Sequence, residues 1–206
     1  MHETDQLDIN AVLHFWFGEI KGEWCVEDRN PLWWYEDPKV DQDIIRRFGR
    51  LHALACEEQL SRWATQPRGR LALIILLDQF TRNIHRKTAT AFSYDVLSLQ
   101  LCLEGRVNGH DKKLKLIEQV FYYMPLMHAE SRKMQELSLQ AYAAIDQQTA
   151  PEDKRNSERY VGAARLHASI IKQFGRYPHR NALLQRENTP EETAYLASEH
   201  EEFGQS

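Results

Sequence analysis

The chain has few of the residues that staple or anchor a polypeptide. Its 206 residues hold three cysteines, Cys25, Cys56 and Cys102, far apart and with no C-x-x-C between them. An odd, scattered set excludes a disulfide framework and points to free thiols in a reducing compartment, with the cytoplasm as the expected location. Long apolar runs are missing too. The longest, Leu71–Leu77, falls far short of the roughly twenty residues that a membrane-spanning helix needs. There is no excess of positive charge: 26 Lys and Arg face 30 Asp and Glu, a net charge of −4. That balance excludes a global attraction to nucleic acid or to anionic membrane. The opening residues Met1–Asp5 show neither a basic nor an apolar stretch, so no secretory signal is expected. The P-loop, G-x-G-x-x-G, G-x-S-x-G and EF-hand patterns are all absent, and with them the cofactors they would announce.

Large apolar side chains are plentiful. Five Trp, eight Tyr and eight Phe are too many for a solvated coil, and a chain of this length can bury a core without disulfide or metal. One domain over residues 1–206 is expected. The apolar residues recur at helical spacing and nowhere alternate strictly. A first helix runs from about Asp8 to a stop at Gly18. An aromatic-rich connection through Trp24 and Trp33-Trp34-Tyr35 follows, which must pack onto the body. Asp37-Pro38 reads as N-cap and first-turn proline, with Val40, Ile44, Phe48, Leu51 and Ala55 continuing that helix. Pro67 opens a helix through Leu71–Leu77 into Asp78-Gln79-Phe80, apolar on most sides and therefore central. Further helices fit Tyr94–Glu104 (stopped by Gly105), Leu114–Tyr123, Leu126–Ile145 and Ser157–Phe174 (stopped by Gly175), with a break at Pro125 and a loop over Gln147–Ser157. Thr189-Pro190-Glu191-Glu192 forms a capping box for a last short helix, and the acidic tail after Ser198 is expected to fray. Seven or eight helices and no strands give an all-α fold. Stacked helical hairpins would curve around a groove.

Three polar blocks stand out. In Asp78-Gln79-Phe80-Thr81-Arg82-Asn83-Ile84-His85, Asp78, Arg82 and His85 share one helical face, with Gln79 and Asn83 beside them. An acid directly after seven apolar residues is expected to be partly buried, and a buried charge needs a partner. The block reads either as a structural Asp–Arg pair or as a strip whose guanidinium clamps a carboxylate or phosphate. In Tyr122–Glu130, Pro125 frees backbone groups just before His128 and Glu130. His128 can titrate near neutrality, and Glu130 suits a helix start. A bare H-x-E supplies too few ligands, and neither H-E-x-x-H nor P-C-x-x-C is present, so no metal site is assigned. In Phe174–Asn181 the triplet His179-Arg180-Asn181 repeats the Arg-Asn of the first block, reading as a surface turn or as a second half-site. Phe15, Trp16, Phe17, Trp33 and Trp34 are expected in the core.

Together these blocks carry a family resemblance. Val12-Leu13-His14-Phe15-Trp16-Phe17-Gly18, Leu73–Ile84, Tyr123–Glu130 and Arg176–Asn181 resemble the bacterial family called domain of unknown function nine hundred and twenty-four, over about Ile9 to Leu196. Thr81 stands where that pattern has proline, which eases the backbone there. The resemblance implies an all-helical fold similar to tetratricopeptide arrays and implies no activity.

Two functions follow from the residues. The first is a helical binding module whose groove takes a small anionic molecule or a peptide carboxylate. Arg82 and Arg180 would be its clamps, Gln79, Asn83 and Asn181 its hydrogen-bonding selectors, and Asp78 the residue that orients a clamp. The second is an enzyme of hydrolase type, with His128 or His179 as general acid or base, Glu130 or Asp78 as orienting carboxylate, and the arginines stabilising negative charge. Both require the three blocks to meet in one hollow.

Overall fold

The computed structural model describes residues 3–198, so the tail expected to fray lies outside the described residues. The fold is all-α apart from one small hairpin. Helix α1 (Glu3–Phe17) ends where Gly18, at φ +65°, takes the left-handed conformation that glycine tolerates best. The stretch that follows holds two short antiparallel strands, β1 (Ile20–Lys21) and β2 (Trp24–Cys25), pairing Ile20 with Cys25 and Lys21 with Trp24. The sequence pattern did not announce them: two-residue strands are too short to alternate, and the turn glycine, Gly22 at φ +65°, is their one mark. A short helix, α2 (Asn30–Trp34), follows. As expected, this aromatic segment packs on the body. Trp33 lies 4.7 Å from Phe121 and donates its indole N–H to the Trp16 carbonyl at 3.0 Å.

Helix α3 (Pro38–Cys56) is capped by Asp37, which accepts from the Lys39 backbone N–H at 2.8 Å. After a 3₁₀ turn at Ser61–Thr65 comes the central element. It starts as α4 (Pro67–Ile74), widens into a π-helical turn over Ile75–Phe80, and closes as α5 (Thr81–Ile84). Every residue from Leu71 to Phe80 is buried. Phe80 meets Trp16 edge-on at 5.6 Å, and Trp16 meets Phe121 in the same way at 5.5 Å. The aromatic residues of α1 thus lock the central element to the next layer.

That layer comprises α6 (Asp95–Val107), α7 (Leu116–Tyr122) and α8 (Met124–His128). Gly105 does not stop α6. It lies inside the helix because an added Cβ would fall 1.6 Å from the Tyr122 hydroxyl oxygen and 2.4 Å from Arg70 Cδ. Only a residue without a side chain admits that approach. The expected break near Pro125 is present, with the chain turning at Tyr123 and Pro125 in the first turn of α8. A second interruption after His128 divides the single helix expected over Leu126–Ile145, and α9 (Arg132–Gln148) begins afresh. The expected loop over Gln147–Ser157 shrinks to a tight connection, because α10 (Lys154–Phe174) already starts at Lys154. Gly175, at φ +74°, stops α10 as expected. The chain then returns over the helices through Pro178–Arg180 and ends the described region in α11 (Pro190–Leu196), with the Thr189–Glu192 capping box in place. Among the described residues no helix is long and apolar enough to cross a membrane.

Candidate functional site

The π turn sets the site. Consecutive residues of an α-helix point about 100° apart, whereas the wider turn lets Asp78 and Gln79 both face inward. Asp78 is completely buried. Its Oδ2 accepts from Gln79 Nε2, and its Oδ1 accepts from Arg82 Nη1 at 3.1 Å. His128, at the end of α8, places Nδ1 2.7 Å from the same Oδ1. Because the carboxylate can only accept, Nδ1 carries the proton and Nε2 keeps the lone pair. Arg82 is tied further by Nη1 to the Asp78 carbonyl at 2.7 Å and by Nη2 to Asp95 Oδ2 at 3.1 Å.

The third block closes the ring. Arg180 Nη1 donates to Asp95 Oδ2 at 3.1 Å, and Nη2 donates to the His128 carbonyl at 3.1 Å. Its guanidinium lies 4.6 Å from the centroids of both Phe92 and Tyr177, which is cation–π range. Three stretches remote in sequence therefore meet. Asp95 is the residue joining two of them, and sequence reasoning missed it. An acid in the first turn of α6 reads as a helix-dipole partner, and nothing local betrays two arginines converging from elsewhere. Asp41 on α3 was missed for the same reason; it accepts from Asn83 Nδ2 at 2.8 Å and from Arg86 Nε at 2.7 Å.

These groups border a cavity of about 610 Å³, within the usual size for a small-molecule site. Its polar lining comprises Gln79, Asn83, the arginines Arg82, Arg86, Arg159 and Arg180, and the histidines His128, His167 and His179; among the described residues no carboxylate lines it. Asp78, Asp95 and Asp41 sit behind their guanidiniums. The remaining wall is aromatic and sulfur-bearing, with Trp33, Trp34, Phe92, Tyr160, Tyr177, Met124 and Met127 among it. Trp33 is partly buried against the core, whereas Trp34, expected in the core, is 43% exposed because it stands at the cavity wall. Arg159 donates to Asn30 Oδ1 and the Tyr160 hydroxyl and has no ion-pair partner among the described residues.

Three expected site residues lie outside this lining: Asp78, fully buried behind Arg82, and then Asn181 and Glu130. Asn181 is buried 1% exposed, donates to Asn188 and Glu192, and accepts from Arg186; its amide is used up in holding the 176–192 return. Glu130 accepts from Arg186 Nη1 at 2.7 Å and Nη2 at 3.0 Å, and from the Tyr177 backbone N–H at 2.8 Å. It braces the loop that delivers Arg180. The adjacent residues Arg180 and Asn181 point apart, which residue-type likeness to Arg82-Asn83 could not reveal. His85 also leaves the face expected for it and packs 5.7 Å from His52. His179 does line the cavity, its ring 5.4 Å from Tyr177. Among the described residues, no three His, Cys, Asp or Glu side chains come together to hold a metal ion.

Charge states follow from the burial. Desolvation alone would raise the Asp78 pKa, but Arg82 and His128 together hold its carboxyl below the usual range. His128 is pushed below 6.5 by burial first and by the Arg82 charge second, with Asp78 only partly opposing them. At neutral pH the pair is therefore carboxylate and neutral imidazole. Arg82 neutralises the acid that would otherwise draw a proton onto the ring.

A solved structure similar to this chain is that of a protein of unknown function, ATU0120, from Agrobacterium tumefaciens. The two are 32% identical, with a TM-score of 0.75 over 93% of this chain and 97% of that one. No curated protein matches. The model of the family described as bacterial protein of unknown function (DUF924) matches residues 12–200, and the chain belongs to that family.

Proposed function

We propose that the protein binds a small organic anion with an aromatic or planar apolar body. The observation that carries this reading is the make-up of the cavity lining, which among the described residues holds four arginines, three histidines and no carboxylate. A carboxylate or phosphate entering it meets donors on the side where each guanidinium is not already paired. Arg180 lines the cavity with each terminal nitrogen making one hydrogen bond, so each keeps a second N–H for an incoming acceptor. The aromatic wall supplies apolar contact for the remainder of the ligand. Gln79 and Asn83, each tied to a carboxylate by its amide N–H, keep their carbonyl oxygens for ligand donors.

Calorimetric titration with 4-bromobenzoate and with its neutral amide, 4-bromobenzamide, tests the reading. The anion is expected to bind at least about tenfold more tightly, since one charge-assisted hydrogen bond is worth about 1.5–3 kcal/mol. Arg159→Ala, which breaks no ion pair, and Arg180→Lys, which keeps the charge but loses the fork, should each weaken the anion and leave the amide unchanged. Equal affinity for both compounds, or unaltered anion binding in both variants, would refute it.

A further inference from the structure

Resting on the anion-binding reading above, we infer that the cavity is also a hydrolytic site, in which His128 acts as general base toward water and the substrate is a carboxylic ester carrying an anionic group. Three observations converge. First, His128 lines the cavity with Nδ1 fixed on a fully buried carboxylate at 2.7 Å, the arrangement that presents the Nε2 lone pair in a set orientation. Second, among the described residues no Ser, Thr, Cys or Lys lines the cavity; of its buried tyrosines, Tyr177 donates its hydroxyl to the Met127 carbonyl and burial pushes Tyr160 up to about 12, which leaves water as the acceptor of the acyl group. Third, Arg180 grips the His128 carbonyl at 3.1 Å, which keeps a guanidinium beside the base, where an oxyanion would develop.

The step balances with water alone. His128 Nε2 takes a proton from water while the water oxygen bonds to the ester carbonyl carbon, and the electron pair shifts to the carbonyl oxygen beside Arg180. The tetrahedral adduct collapses, the bond from carbon to the leaving oxygen breaks, and the proton on Nε2 passes to that oxygen. Acid and alcohol leave, and the imidazole is neutral again. Asp78 is a positioning residue: it sets the tautomer and touches no substrate. The charged and titratable groups facing His128 are Asp78, Arg82, Asp95, Arg180, His167 and Tyr177.

The test uses 4-acetoxybenzoate, its neutral amide analogue and the product 4-hydroxybenzoate. The wild-type protein should release 4-hydroxybenzoate from the anionic ester at least about tenfold faster than it cleaves the neutral ester, and His128→Asn should lower that rate about 100-fold. Asn can still donate to Asp78, so this variant should keep its fold and its affinity for 4-hydroxybenzoate. The wild-type rate should also rise with pH through one ionisation below 6.5 and then level off. Equal ester cleavage by wild type and His128→Asn, both binding 4-hydroxybenzoate, would overturn the catalytic inference and leave anion binding standing. Failure of the wild type to bind 4-hydroxybenzoate would remove the binding reading itself. A rate independent of pH across that range would also overturn the role of His128, even if the variant proved unstable.

Discussion

Arg82 and Arg180, 98 positions apart in the chain, share one carboxylate oxygen, with Asp95 Oδ2 accepting from Arg82 Nη2 at 3.1 Å and from Arg180 Nη1 at 3.1 Å. One buried and one half-buried guanidinium thus converge on a single acid. The substitution Asp95→Asn keeps its shape and removes its charge. Breaking a buried pair in this way costs about 3–5 kcal/mol, so the unliganded variant should melt well below the wild type. An anionic ligand would restore the missing charge. Its stabilising effect, read as the ligand-induced rise in Tm, should be larger in Asp95→Asn than in the wild type. A smaller rise would contradict the view that ligand and Asp95 neutralise the same arginines.

Asn181 and its neighbours provide the contrast. Asn181→Ala removes hydrogen bonds to Asn188, Glu192 and Arg186 and should cost about 1–3 kcal/mol. Its effect on ligand affinity should be small compared with that of Arg180→Lys. Urea unfolding and calorimetry on the two variants separate the brace from the clamp.

Most of the secondary structure was legible because caps and periodicity are local. Asp37-Pro38, the Thr189–Glu192 box and the stops at Gly18 and Gly175 each act through backbone groups within a few residues. The π turn was not legible, since a run apolar on every side has no period to distort. Gly105 misled because a glycine inside a helix marks either a stop or a close approach, and Tyr122 arrives from another helix. In the site, Arg82, Arg180, His128 and Asp78 could be picked out by residue type against an apolar background, whereas Arg86 and Arg159 were not assigned to it. Asp95 and Asp41 could not, because the chain distance to their partners carries no signal.

Two glycines give opposite expectations. Gly105→Ala puts a methyl group where Tyr122 and Arg70 already stand, and overpacking of this kind should cost about 3 kcal/mol. Gly162, within α10, has nothing within 4 Å of an added Cβ, so Gly162→Ala should stabilise by about 0.5–1 kcal/mol through helix propensity. Thermal melts of the two variants moving in the same direction would contradict the packing described.

Acid should unfold the protein from a higher pH than its carboxylates alone would set. Burial, followed by the neighbouring His85 charge, pushes His52 down to about 4. Burial, followed by His128, takes His167 to about 3. Rings that stay neutral when folded but take up protons near 6.5 when unfolded favour unfolding as protons are added. Their stabilisation is complete above about pH 6.5 and is lost as pH falls toward the folded values. Each ring should cost about 2 kcal/mol between pH 6.5 and about 5. Urea midpoints across that interval, with His52→Gln showing a shallower decline, check the sign and the size.

The most direct test of the central claim is the location of a bound anion. A crystal of the protein soaked in 4-bromobenzoate would report the ligand through the anomalous signal of its bromine. The expected result is a carboxylate within hydrogen-bonding reach of the Arg180 guanidinium and a ring against the wall formed by Phe92, Tyr177 and Trp34. Bromine sites confined to the outer surface, with the cavity holding only water at saturating ligand, would contradict it.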